Sequence, residues 1–134
     1  MLRNRYCLLF LLVLVQASAA LAADRFEPFS EERLQTLQNE GRPVLVEVYA
    51  DWCSTCRRQA PILEELLGQA EFAQLTALKL DWDAQRPQAQ TLGAPRQSTL
   101  ILFVGEQRLG TSIAETDPER LRAFLAQIQT AAGG

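Results

Sequence analysis

Cys53 and Cys56 stand in the segment Ala50-Asp51-Trp52-Cys53-Ser54-Thr55-Cys56-Arg57, with an apolar, β-branched run before them and a helical pattern after them. A pair at this spacing does redox chemistry when its first cysteine opens a helix. The unbonded N–H groups and the dipole at that end stabilise a thiolate, drawing a thiol from about 8.5 into the range of about 3.5 to 7.5. Cys53 is then the nucleophile. Cys56, one turn on, is placed to attack a mixed disulfide at Cys53 and release the reduced client. The same pair can be half of a zinc site, but a closed site needs four ligands. Apart from Cys7 the chain has no further cysteine, and it has no histidine. A purely structural disulfide here would close a very small loop and stabilise little.

Cys7 lies in a segment of another kind. Arg3 and Arg5 precede an apolar run from Leu8 to Val15, followed by small residues through Ala23. This order reads as a secretory signal peptide, residues 1–23. The run is shorter than the about 20 apolar residues needed to cross a ~30 Å hydrocarbon core. Ala20-Leu21-Ala22 offers cleavage before Ala23 or one residue later, and no cysteine sits there to take a lipid. Cleavage leaves Cys53 and Cys56 as the only thiols of a single domain, residues 24–134. Taking Arg3 and Arg5 from 13 basic residues, against 16 acidic ones, moves the net charge from −3 to −5. No basic cluster points to nucleic acid.

The elements around the pair follow from periodicity. Ser30 caps a short helix with Leu34 and Leu37 on its apolar stripe, ended by Gly41. Pro43 opens the strand Val44–Tyr49, apolar on both faces and leading into the cysteines. Ile62, Leu63, Leu66 and Leu67 give helical spacing from Cys53 to about Gly68, with Pro61 expected to kink it. Leu75–Leu80 reads as a strand and Pro87–Leu92 as a helix ended by Gly93. Thr99–Val104 and Gln107–Ile113 read as a hairpin turned at Gly105-Glu106. Asp117 and Pro118 start a last helix that buries Leu121, Phe124, Leu125 and Ile128. The result is an α/β three-layer sandwich.

Two further positions bear on chemistry. Glu47 interrupts an apolar strand, where a lone carboxylate is costly to bury. Buried near Cys56, it could take and return that thiol's proton; facing out at a sheet end, it would be ordinary solvated charge, as would Lys79. Trp52 is either a docking surface beside the sulfur or plain shielding.

From Pro43 to Leu125 the chain resembles thioredoxins, and Ala60-Pro61-Ile62-Leu63-Glu64-Glu65 carries the likeness beyond the cysteines. Tyr49-Ala50-Asp51-Trp52-Cys53 is also similar to the periplasmic thioredoxin-like domain of the bacterial membrane protein that carries electrons outward for disulfide reduction. The resemblance implies a thioredoxin fold with a central mixed sheet flanked by helices on both faces. It implies a monomeric protein-disulfide oxidoreductase acting on protein thiols and disulfides, with no cofactor or metal and with a membrane electron donor as a candidate partner. Together with the signal peptide it implies the periplasm. It assigns Glu47 to the family's buried acidic position and Lys79 to its lysine partner.

One departure stands out. Thioredoxins place a cis-proline against the cysteines, where this chain has Ser98, and Pro95 lies three residues too early. A cis bond before serine costs about 2.5–4 kcal/mol, so a trans bond or a remodelled loop is expected. Backbone groups beside that proline pair with an extended client in the family, which implies Gln97, Ser98 and Thr99, with Trp52, as the client contacts here. Absence of the proline ring also opens another reading, a binding module in which two chains share four thiolates around a metal or an iron–sulfur cluster. The spacer Ser54-Thr55 matches neither the Gly-Pro of reducing thioredoxins nor the Pro-His of strong oxidants. The likeness to the electron carrier favours a reductase.

Overall fold

The computed structural model describes residues 25–132; the expected signal peptide, its cleavage site and Cys7 lie outside the described residues. Within them run the strands β1 (Phe26–Pro28), β2 (Pro43–Tyr49), β3 (Thr76–Asp81), β4 (Thr99–Val104) and β5 (Gln107–Ile113). They form one sheet in the order β1-β3-β2-β4-β5. β1 and β2 both pair parallel to β3, whereas β4 lies antiparallel to β2 and β5. The sheet is mixed, as expected.

Strand alternation sorts the side chains into two cores. Val44, Val46 and Val48 of β2 pack with Leu78 and Leu80 of β3 under α1 (Glu31–Asn39) and α3 (Arg86–Thr91). Leu45, Leu100 and Leu102 face the opposite way, against α2 (Ser54–Leu67), α4 (Pro118–Leu125) and α5 (Gln127–Ala132). Leu45, Leu63, Leu100 and Leu121 are fully buried, and truncating any of them to alanine should cost about 2–5 kcal/mol. Glu47 has the parity of Leu45, so the strand aims it under α2.

The ends of the helices follow local chemistry. Ser30 accepts the N–H of Arg33 at 3.1 Å, and Asp117 accepts that of Arg120 at 2.9 Å, with Pro118 in the first turn. α2 runs through Pro61 as one element. Gly105 turns the β4–β5 hairpin with φ +55°, a value that suits glycine.

Two features differ from the sequence reading. β1 has only three residues, too few to show a period, and is recognisable only by its pairing with Ala77–Lys79. The last helix is two: α4 ends at Leu125 and α5 starts at Gln127. No glycine or proline marks that break.

Candidate active site

β2 delivers the chain to the N-terminus of α2, and Cys53 is the cap of that helix. Its Sγ accepts the N–H of Cys56 at 3.1 Å. Both cysteines are free thiols, and both are buried. Burial pushes the Cys53 thiol up. Hydrogen bonds from the Cys56 thiol, the Ser98 hydroxyl and the N–H groups of Cys56 and Thr55 outweigh it and hold Cys53 below the ordinary thiol value. Cys56 is shifted the other way. Burial, aided by its bond to Cys53, keeps it protonated to higher pH despite opposing contacts from Ser98 and the Ala50 backbone. One sulfur is prepared to attack, and the other holds its proton.

Ser98 immediately precedes β4 and has φ +62°, a backbone value unusual for a residue with a Cβ. It is fully buried. Its N–H donates to the Val48 carbonyl at 2.8 Å, and its own carbonyl accepts the Ala114 N–H at 2.8 Å. Its Oγ lies 3.0 Å from Cys53 Sγ and 3.1 Å from Cys56 Sγ. The place expected to stand open without a proline ring therefore holds a hydroxyl in contact with both sulfurs. No peptide bond among the described residues is cis, and the bond before Ser98 is trans.

Glu47 is 2% exposed. It lines a cleft of about 270 Å³ together with Cys56, Lys79, Tyr49 and Arg57. Lys79 is its register partner across the parallel β2–β3 ladder, which sets both side chains on the α2 face of the sheet. The Lys79 ammonium lies 4.6 Å from the centre of the Tyr49 ring and 5.5 Å from that of Phe26. Glu47 thus faces inward toward Cys56 and not outward at a sheet end. Trp52 is 58% exposed, and its indole N–H donates to Asp83 at 2.8 Å.

A thioredoxin family model matches residues 27–127. This chain belongs to the thioredoxin family. It is 36% identical over 94 residues to the thioredoxin of Alicyclobacillus acidocaldarius, a match covering 70% of this chain and 88% of that one. It is 37% identical over 102 residues to a thiol:disulfide interchange protein TxlA homolog from Synechocystis, over 73% of this chain and 53% of that protein. Among solved structures, Trxlp from Edwardsiella tarda superposes with a TM-score of 0.72 at 41% identity, covering 75% of this chain and 97% of that one. Thioredoxins exchange thiols and disulfides with proteins through a Cys-x-x-Cys pair, here Cys53 and Cys56.

The expected client contacts differ in their exposure. Thr99 is fully buried. Its hydroxyl donates to the Arg96 carbonyl at 2.6 Å, and it pairs with both Val48 and Ile113. Thr99 is thus enclosed between its two neighbouring strands. Ser98 is likewise enclosed, with its N–H and carbonyl both engaged within the fold. Of the three loop positions only Gln97 is partly exposed. Asp83, 31 residues from the tryptophan it anchors, carries no sequence signal of that role. Among the described residues no group of three or more His, Cys, Asp or Glu side chains is gathered as metal ligands.

Proposed function

We propose that this protein is an exported, monomeric reductant of protein disulfides. The observation that carries the reading is the asymmetry of the pair, with Cys53 capping α2 and held toward its thiolate while Cys56 is held toward its thiol. The Cys53 thiolate attacks a client disulfide, one client sulfur leaves and takes a proton, and a mixed disulfide remains on Cys53. Cys56 gives its proton to Glu47, attacks Cys53 Sγ and displaces the second client sulfur. The client gains two electrons, and the pair ends as a disulfide. Lys79, the register partner of Glu47 on β3, is the cation that shares its cleft. Trp52 and Gln97 meet the client.

The expected signal peptide, residues 1–23, supports export to the periplasm, where a membrane dithiol protein would return the electrons. The reducing direction is supported by likeness to proteins named thioredoxin. The test is the reduction potential of the pair against glutathione. A reductase should lie near the about −270 mV of thioredoxin, and a value near the about −120 mV of the strong oxidants of this fold would reverse the direction. N-terminal sequencing of protein recovered from a periplasmic fraction checks export; an intact Met1 in the cytoplasm would overturn it.

A further inference from the structure

We propose that the Ser98 hydroxyl is a single hydrogen-bond donor shared by the two reacting sulfurs, serving Cys53 before attack on the client and Cys56 during resolution. A serine has one O–H to give, and here two sulfurs stand at nearly equal range, 3.0 Å to Cys53 Sγ and 3.1 Å to Cys56 Sγ. Ser98 is fully buried, so water does not compete for the bond.

The fold holds this oxygen in place from both sides. The Ser98 N–H is tied to Val48, beside the strand end that carries the pair, and its carbonyl to Ala114. Glu115, the next residue, accepts the Gln59 side chain at 2.7 Å, and Gln59 rides on α2 with Cys56. The φ of +62° is strained for any residue with a Cβ, whereas glycine would adopt it freely. Serine spends that strain on an atom that glycine lacks, and the atom touches both sulfurs.

The inference rests on thiol exchange through Cys53 and Cys56 and follows its two steps. Before attack the charge is on Cys53, whose bond from Ser98 joins those from the helix N-terminus. When Cys53 bonds to the client sulfur, the client disulfide breaks and its other sulfur leaves with the electron pair. Cys53 is then neutral and a poor acceptor. As Cys56 loses its proton, charge appears on the second sulfur at the same distance from the same oxygen. The O–H turns to it, Cys56 bonds to Cys53 Sγ, and the Cys53–client bond breaks. Ser98 gives up no proton at any stage. A charge-assisted bond of this kind is about twice as strong as a neutral one, so the sulfur that is anionic at each step holds it.

Ser98→Ala and Ser98→Gly both delete the hydroxyl; alanine keeps the strained Cβ and glycine removes it. Both variants should slow iodoacetamide alkylation of Cys53 below its wild-type pKa about tenfold and move the pH profile up. Both should make the potential about 30 mV more negative, the equivalent of tenfold for two electrons. With a chromogenic thiol preloaded on Cys53, both should release it by Cys56 attack about tenfold more slowly. Wild-type values in all three assays would leave Ser98 as packing alone. A shift in glycine but not alanine would assign the effect to the backbone, and a change at Cys53 without slower release would end the shared-donor proposal. The alkylation arm needs no client, so it stands apart from the reductase reading. Glycine, free of strain, remains measurable should alanine misfold.

Discussion

Cys53 Sγ accepts the N–H of Cys56 at 3.1 Å, so the first sulfur of the pair caps the helix that carries the second. A thiolate at this position faces the positive end of α2, and Cys56 lies one turn inside. Cys53→Ala should abolish exchange, and Cys56→Ala should trap mixed disulfides with clients. Non-reducing gels of the two variants check this; adducts on Cys53→Ala in place of Cys56→Ala would reverse the roles.

Glu47→Gln keeps the shape of the side chain in the cleft beside Cys56 but removes its basicity. Resolution near neutral pH should slow by about a hundredfold, at the low edge of what general-base groups contribute. The first attack by Cys53 should be unchanged. Stopped-flow traces of the two phases decide it, and equal rates in both proteins would leave Glu47 a structural role only.

Ser98→Pro should be destabilising, although it restores the residue usual in thioredoxins. Proline fixes φ near −65° and has no N–H, whereas Ser98 has φ +62° and donates to Val48. Leaving that buried carbonyl unpaired costs about 1–3 kcal/mol, which lowers Tm on the order of 10 °C in a domain of this size. Thermal unfolding followed by circular dichroism reads the change. An unaltered Tm would show that this loop accepts a second backbone path.

Glu115 lies in the loop just before α4, where Arg120 and the N–H groups of Asp117 and Thr116 hold its carboxylate at about 2, below the ordinary 4.5. A carboxylate depressed by folding stabilises fully above its unfolded value. The contribution should therefore be complete above about 4.5 and lost as pH falls toward 2. Glu115→Gln should flatten the pH dependence of Tm within that window and leave its shape above it unchanged. Parallel curves for variant and wild type at low pH would contradict the assignment.

Residues close along the chain made much of this protein legible in its sequence. The apolar run Val44–Tyr49, the pair that follows it and the helical spacing of Leu63, Leu66 and Leu67 fix a strand that runs into a helix with a sulfur at its cap. The period of two in β2 already gives Glu47 the parity of Leu45, and a charge in such a strand marks an unusual site. Whether it faced inward depended on which helix covers that side of the sheet, and no local pattern carries that information. Trp52 meets Asp83 because β3 returns beside β2. Thr99 is buried because β4 has partners on both edges, and of the stretch 97–99 only Gln97 keeps partial exposure. The positive φ of Ser98 had no sequence signal, since that conformation is imposed on a residue with a Cβ by hydrogen bonds to Val48 and Ala114 from elsewhere in the chain. Periodicity along the backbone reports which face a side chain takes. Only the crossing of segments distant in sequence could decide that a hydroxyl would stand between the two sulfurs.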